Sequence, residues 1–196
     1  MFKLIPCAAG CNNAALSGSN LCALHCSDRI EESRRIFSLI NNEQKVRDIN
    51  AALLEFNNAN FSQKSFAGCN FTAAVFVDCS FSGCVMRMNF FDFAVFSNCD
   101  FSNSDMQFVS FGGCSFNNCN FECSDLLHIS FCGADIYNTR FSHSDLYNSR
   151  FNSAKLRDVK MDDCNVKKVF FLNTKQENVL LKSSNTAEAV FVYSIL

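Results

Sequence analysis

The chain has 196 residues, of which 48% are hydrophobic and 18% are charged, and its formal net charge is −2. It has no run of about 18 or more apolar residues, the length that spans a bilayer, so we expect no membrane partner. Too few residues precede Cys7 for the apolar core of a signal sequence, and the thirteen cysteines are odd in number. These features predict a cytoplasmic protein whose thiols stay reduced.

Residues 1–26 contain a cluster of cysteine and histidine. Cys7 and Cys11 form a C-x3-C pair, and Cys22 and His25 form a C-x2-H pair after ten intervening residues, with Cys26 as a spare thiol. Three thiolates and one imidazole in two close pairs suit tetrahedral Zn²⁺. A segment this short cannot bury a core, so bound metal would supply its folding free energy.

The same spacing resembles small CCCH zinc modules, and the resemblance covers only this segment. It implies a structural zinc ion, because four protein ligands leave no open coordination position for catalysis. Two alternatives stay open at this point. Cys26 could replace His25 as the fourth ligand, or residues 1–26 could form a loose, reduced tail.

Residues 27–48 are predicted to form a capping helix and linker. Asp28 followed by Glu31 is a capping-box pattern, and Ile30, Phe37 and Ile40 then fall on one helical face. We therefore expect a helix from about Ser27 to Asn41, laid over the first turn of the next domain.

From Phe56 to Phe171 every fifth residue is apolar, over twenty-four consecutive positions, and sixteen of these are Phe. Val46 and Ala51 fit the same five-residue grid. Two residues before the grid positions lies a second set of mostly smaller residues, which includes Ala59, Cys69, Ala74, Cys79, Cys84, Ala94, Cys99, Ser104, Cys114, Cys119, Ala134, Ser149, Ala154 and Cys164. Neither the helical period of 3.6 nor the strand period of 2 explains this spacing, which indicates an internal repeat.

The stretches CSDLLHISF, NCDFSNSDM and SHSDLYNSRF resemble the pentapeptide-repeat family, whose pattern is small, Asp/Asn, Leu/Phe, polar, variable. The resemblance implies an all-β fold for residues 49–196, a right-handed quadrilateral parallel β-helix with four pentapeptides in each twenty-residue coil. The sequence supports this coil length. Grid positions that are twenty residues apart form four columns. One column contains Met86, Met106 and Leu126, whereas the other three are rich in Phe.

The grid weakens toward the C-terminus, where Gln176 and Thr186 replace apolar residues. It returns at further large and small positions: Leu181, Phe191, Leu196, Val179, Ala189 and Ser194. The last coil therefore has no capping helix after it, and an open β-helix end is normally covered. Either the protein forms a homodimer through this coil or the chain is a fragment of a longer one.

Seven cysteines of the repeat region occupy the small inward position, where a thiol behaves as a small buried hydrophobe. Twenty-residue spacing also stacks Cys123, His143 and Asp163, the residue types of a cysteine hydrolase. A flat β-helix wall supplies neither a pocket nor oxyanion donors, so the sequence predicts no enzyme.

Among the apolar residues that lie off the grid and point outward are Met88, Phe90, Phe93 and Phe108. They predict either a contact patch or a surface covered by the N-terminal segment. Residues 56–139 carry seven acids and two bases, a net charge of −5, whereas residues 140–196 carry six acids and nine bases, a net charge of +3.

These features predict a non-enzymatic protein-interaction scaffold with a protein partner of unknown identity. The family resemblance also implies an alternative, a DNA mimic that protects topoisomerases such as gyrase from quinolones. The basic last coils depart from the acidic surface that such mimicry requires. Direct binding of nucleic acid is not expected, because the Lys and Arg residues lack interleaved outward aromatic residues.

Overall fold

The computed structural model describes residues 4–192. Two predicted grid positions, Ser194 and Leu196, lie outside these residues. Within the described range, no helix has the length and hydropathy needed to cross a bilayer.

The described part of the chain contains one α-helix, one 3₁₀ turn and fourteen strands of three residues each. The helix is α1 (Arg29–Asn41) and the 3₁₀ turn is Thr186–Glu188. The strands are β1 (Lys45–Arg47), β2 (Glu55–Asn57), β3 (Ser65–Ala67), β4 (Val75–Val77), β5 (Val85–Arg87), β6 (Val95–Ser97), β7 (Asp105–Gln107), β8 (Ser115–Asn117), β9 (Asp125–Leu127), β10 (Asp135–Tyr137), β11 (Lys155–Arg157), β12 (Phe170–Leu172), β13 (Lys175–Glu177) and β14 (Val190–Val192).

All strand pairs are parallel and join residues twenty positions apart, as in Phe56 with Phe76. One sheet has the order β1-β3-β5-β7-β9, a second has β13-β11-β10-β8-β6-β4-β2, and β12 pairs with β14. The other two sides are joined mainly by single parallel bridges, again at twenty-residue spacing. The chain therefore forms a β-solenoid of about seven turns, and the predicted pentapeptide β-helix is confirmed.

The grid residues fill the interior as stacked columns. Phe101 lies between Phe81 and Phe121, with ring centroids 4.8 and 4.6 Å away and planes nearly parallel. These spacings equal the distance between hydrogen-bonded strands, because each ring sits on the ring one coil below. Neighbouring columns meet edge to face, as Phe96 and Phe101 do at 5.2 Å. Aromatic pairs prefer both geometries.

The predicted small inward positions from Ala59 to Cys164 are buried, whereas Val179 and Ala189 in the last coils are partly buried. Their thiols and hydroxyls also form hydrogen bonds that the sequence pattern did not reveal. The Cys84 thiol donates to the carbonyl of Phe61 at 3.1 Å, and the Ser104 hydroxyl donates to that of Phe81 at 3.0 Å. Each donor reaches the grid residue twenty-three positions earlier. Cysteine and serine are suited to this position because they are small and can donate.

Two residues after each grid position the backbone turns a corner. Every fifth residue from Asp48 to Ser183 has a positive φ. Asn, Asp and Gly tolerate this left-handed region best, and none of these corner residues is β-branched. The corners are therefore a second five-residue signal, offset from the apolar grid.

Helix α1 forms where it was predicted. Asp28 caps it, since its side chain accepts from the backbone N–H of Ile30 at 2.8 Å and of Glu31 at 3.1 Å. The predicted inward face is wrong at Ile30, whose side chain is 65% exposed, whereas Ile36 and Ile40 are buried. Ile30 lies at the margin of the stripe that packs on the solenoid.

Strand β1 already pairs with β3, so pairing begins at residue 45, within the segment assigned above to the linker. Val46 is buried, as its grid position predicts. At the other end, Gln176 and Thr186 are exposed. The return of the grid is confirmed at Phe191, whose ring stacks on Phe171 with centroids 4.8 Å apart.

Candidate metal centre and contact surface

The first pair of cysteines lies on a tight loop. The N–H of Cys7 donates to the carbonyl of Asn13 at 2.9 Å, and the N–H of Gly10 donates to the carbonyl of Cys7 at 2.9 Å. Gly10 and Asn12 have positive φ values of 71° and 62°, which reverse the chain within the C-x3-C segment. This reversal turns Cys7 and Cys11 toward the same point.

The second pair lies on a turn just before α1. The N–H groups of His25 and Cys26 both donate to the carbonyl of Cys22 at 3.0 Å. The imidazole of His25 therefore folds back toward the thiol of Cys22, with Sγ and Nδ1 3.5 Å apart.

The two pairs meet in one cluster. The Sγ atoms of Cys7, Cys11 and Cys22 and a ring nitrogen of His25 all lie within 4.8 Å of one another. Sγ of Cys7 is 3.6 Å from Nδ1 of His25, and Sγ of Cys11 is 3.6 Å from Sγ of Cys22. Zn–S and Zn–N bond lengths place tetrahedral ligands about 3.8 Å apart for two sulfurs and about 3.6 Å apart for sulfur and nitrogen. The cluster could hold a metal ion.

The electrostatics of the cluster favour thiolate at two of its cysteines. A hydrogen bond from the backbone N–H of Cys22, at 3.4 Å from Sγ, lowers the pKa of Cys7 to about 6. Hydrogen bonding to the backbone of Asn13 lowers the pKa of Cys11, whereas burial raises that of Cys22. The pKa of His25 is raised, first by its hydrogen bond with Cys7.

Cys26, the alternative fourth ligand, lies outside this cluster. Its thiol donates to the carbonyl of Ala23 at 3.5 Å. Burial and the nearby Glu32 raise its pKa, so the thiol form is favoured there. The structure thus brings His25, rather than Cys26, to the three other sulfurs.

The segment that carries the Cys/His cluster is hydrogen-bonded to the first coil through Asn50, a residue that the sequence pattern did not single out. The N–H of Asn50 donates to the Ser17 hydroxyl at 2.7 Å, and its side-chain amide donates to the carbonyl of Ala15 at 2.7 Å. Leu16 and Ala23 belong to the same buried apolar core as Ile36. The N-terminal segment is therefore packed against the solenoid rather than loose.

Cys123, His143 and Asp163 lie at the same corner of three successive coils, as expected from their twenty-residue spacing. Nδ1 of His143 is 3.7 Å from Oδ2 of Asp163, and both side chains are more than half exposed. Cys123 is also exposed, and within the described residues it makes no side-chain hydrogen bond to His143. The contact between nucleophile and base that activates a cysteine is thus not formed.

The four outward apolar residues are all exposed: Met88 by 58%, Phe90 by 40%, Phe93 by 68% and Phe108 by 58%. Their exposure contradicts the alternative in which the N-terminal segment covers them. The ring of Phe108 stacks on the imidazole of His128, with centroids 4.9 Å apart and planes at 10°. We call these four residues the apolar patch.

Three residues of the apolar patch occupy corners. Met88, Phe93 and Phe108 have φ values of 54°, 61° and 56°, at positions where much of the chain has Asn, Asp or Gly. Bulky residues in this region cost conformational free energy, and such costs concentrate at functional sites. An apolar residue at a corner position is therefore a second sequence signal for the apolar patch, in addition to its place off the grid.

Comparison with known proteins agrees with this architecture. The family model described as Pentapeptide repeats matches in eight copies, over residues 55–87, 91–122, 114–152, 124–163 and 134–171, which together exceed half of the chain. A search of curated proteins gives no match.

Solved structures are similar to the chain to different extents. One is of a trypsin-treated variant of QnrB1, a plasmid-mediated fluoroquinolone resistance protein, with a TM-score of 0.60 and 20% identity over 75% of this chain and 76% of that one. Another is of HetL from the cyanobacterium Nostoc sp. strain PCC 7120, a pentapeptide repeat protein involved in heterocyst differentiation regulation. Its TM-score is 0.34, with 14% identity over 82% of this chain and 96% of that one. Given the twenty-residue register, the stacked interior columns and the eight matched repeats, the chain belongs to the pentapeptide-repeat family.

Proposed function

We propose that the protein is a non-enzymatic interaction scaffold that binds a protein partner through the apolar patch and carries a structural zinc ion in its N-terminal head. The observation that carries the proposal is the exposure of Met88, Phe90, Phe93 and Phe108 on the outer surface of the solenoid. The large apolar side chains of the grid, in contrast, are buried in its interior. Aromatic residues and methionine are enriched in protein interfaces. The thirteen cysteines, which form no disulfide in the described residues, support a reducing, cytoplasmic location.

The zinc assignment is supported by the chemistry and spacing of the ligand cluster. The distances of 3.5 and 3.6 Å between ligand atoms match tetrahedral Zn²⁺, and thiolate and imidazole ligands are those that zinc prefers. When bound, zinc would offset two of the three thiolate charges and hold the two ligand turns together. Its role is structural, because all four ligands come from the protein.

The surroundings of the apolar patch indicate the chemistry of the partner. The coils that carry it belong to residues 56–139, whose net charge is −5. Asp92 lies between Phe90 and Phe93 in the chain, and its carboxylate accepts from the Ser110 hydroxyl. We therefore expect a partner whose contact surface has an apolar centre and a basic rim.

The test is to replace Met88, Phe93 and Phe108 together by Asn, which suits the left-handed corners. The solenoid should stay folded, and a partner captured by the native protein from extracts of its source cells should be lost. Binding of that partner, once purified, should weaken at least tenfold in calorimetry, since central apolar contacts carry most interface free energy.

The matched control replaces Asn98, Asn118 and Asn138 by Ser. These corner residues form an exposed amide ladder at a different corner of the solenoid from the residues of the apolar patch. This variant should bind the partner as the native chain does. Equal binding by the apolar-patch variant, or equal loss by both variants, would reject the proposed surface.

We also propose that the last described coil pairs with a second copy of the chain. Leu180 and Val190 are 50% and 37% exposed there, which supports an apolar contact. Native mass spectrometry at about 10 µM should show a dimer that Leu180→Lys with Val190→Lys converts to monomer. A native chain that is monomeric under these conditions excludes the homodimer.

The alternative is a DNA mimic that protects gyrase. It is supported by the acidic coils of residues 56–139 and by a fold shared with QnrB1, described as a fluoroquinolone resistance protein. The acidic surface is interrupted, however, where Arg140 pairs with Glu122 at 3.5 Å and Lys155 with Asp135 at 3.8 Å. If gyrase supercoiling and its quinolone sensitivity do not change when the protein is added, this alternative is rejected.

A further inference from the structure

The first coil of the solenoid leaves part of a strand edge open. Strand β2 ends the seven-stranded sheet, with only β4 beside it. Toward β4, the N–H of Asn58 donates to Val77 and the carbonyl of Leu54 accepts from Val75, both at 2.9 Å. Because parallel strands alternate the direction of their polar groups, the carbonyl of Glu55 and both backbone groups of Asn57 point the other way.

On this open side, helix α1 supplies one hydrogen bond. The Ser33 hydroxyl accepts from the N–H of Glu55 at 3.3 Å. Within residues 4–192, the carbonyl of Glu55 and the N–H and carbonyl of Asn57 have no hydrogen-bond partner. Such a row of donors and acceptors can template another strand.

A groove of about 560 Å³ runs along this edge, between β2 and α1. Ile30 and Phe37 line its helical wall, and Phe56 and Ala59 line the solenoid side. Ile30 is 65% exposed, although it belongs to an amphipathic helix. The groove therefore offers apolar surface directly beside open backbone groups.

Two cations line the same groove. Arg29 forms no ion pair within the described residues, and Arg34 has only an exposed contact with Glu31 at 3.7 Å. Exposed ion pairs of this kind contribute little, so both guanidinium groups are available to a ligand carboxylate. Glu55 is the acidic residue that lines the groove opposite them.

We propose that the edge of β2 binds an extended, acidic segment of another protein as an added β-strand. The segment's main chain would pair with Glu55 and Asn57, an apolar side chain would enter the groove against Ile30 and Phe37, and its carboxylates would face Arg29 and Arg34. This surface lies on the first coil and does not include the apolar patch, so it goes beyond the function proposed above.

The test uses the full chain and a fluorescein-labelled nine-residue peptide with valine at alternate positions and aspartate at both ends. The native protein should bind it with a Kd of about 10–500 µM, typical of a short added strand without deep pockets. Asn57→Pro removes the open N–H without touching the ladder to β4, because proline is tolerated at such edge positions. It should weaken binding at least tenfold.

The matched control is Arg47→Pro, at the equivalent position of β1, which should bind within about twofold of the native chain. Charge reversal by Arg29→Glu with Arg34→Glu should shift the preference to a peptide with lysine at both ends. In the native protein, saturating peptide should slow hydrogen exchange at the Asn57 amide at least tenfold. Unchanged exchange at Asn57, equal binding by Asn57→Pro, or no binding at 1 mM peptide would overturn the proposal.

Discussion

The ring of Phe93 lies across the backbone of Gly113, one coil further along the solenoid. A Cβ placed on Gly113 would be 2.7 Å from Cδ1 and from Cε1 of that ring. Phe93, the most exposed residue of the apolar patch, thus packs its ring against Gly113, which has no side chain. Gly113 also has a φ of +65°, which other residues adopt only at a cost.

Gly113→Ala should therefore displace the Phe93 ring as well as strain the corner. Gly133→Ala is the matched control, because it shares a positive φ of +69° but its Cβ would meet nothing closer than 3.9 Å. We expect the control to lose about 1–2 kcal/mol, the cost of a left-handed residue, and Gly113→Ala to lose more. Urea unfolding measures both losses. If the two variants are equally stable and the NMR signals of Phe93 are the same in Gly113→Ala as in the native chain, the proposed packing of the Phe93 ring on Gly113 is wrong.

The stacked Phe columns should dominate stability. Phe101→Ala opens a cavity between Phe81 and Phe121 and should cost about 3–5 kcal/mol in urea unfolding. Phe108→Ala removes the same side chain from an exposed corner and should change stability by less than about 1 kcal/mol. Similar losses for the two variants would contradict the interior and exterior assignments.

The buried thiols predict a loss of stability in alkali. Burial raises the pKa of Cys69, Cys84 and Cys164 to about 11 from the ordinary value of 9.0, so the folded protein keeps these protons where the unfolded chain releases them. The contribution of these thiols to the free energy of unfolding is therefore fully present below about pH 9, and it is lost as the pH rises toward 11. Each thiol contributes up to roughly 2–3 kcal/mol of this loss.

Urea midpoints measured between pH 8 and 11 test this dependence. Cys84→Ala should make the urea midpoint less dependent on pH. Cys123→Ser, which changes a cysteine on the surface, should leave the pH dependence as in the native chain. A native curve that is flat from pH 8 to 11 would contradict the buried, protonated state of these thiols.

The repeat domain was predictable because its signal recurs at every coil. The five-residue grid and its four columns require only counting, and the buried Phe71, Phe91 and Phe111 follow from them. The corner rule was equally present in the sequence. It was missed because Asn and Asp also occur beside the grid, where they stabilise turns.

Features that occur once were harder to predict. The inward face of α1 was placed partly wrongly, since Ile30, Phe37 and Ile40 form a plausible stripe until the position of β2 is known. The role of Asn50 and the open edge at Asn57 depend on how the N-terminal segment packs, which no local pattern encodes. The clustering of Cys7, Cys11, Cys22 and His25 was predictable because the spacing within each pair of these residues is local.

Loss of one ligand should destabilise the N-terminal head. Cys22→Ser removes a sulfur that is close to both Cys11 and His25, so we expect loss of zinc and faster hydrogen exchange in residues 7–26. Cys26→Ser removes a neighbouring thiol outside the cluster and should leave both unchanged. Zinc loss from Cys26→Ser with retention in Cys22→Ser would show that the ligand set is wrong.

The most direct test of the proposed zinc ion in the N-terminal head is native mass spectrometry of the full chain purified without added metal. We predict a mass increment of one zinc ion per chain, which a strong chelator removes together with the protection of residues 7–26 from hydrogen exchange. A folded chain that carries no metal, with the same protection before and after the chelator, would contradict this account.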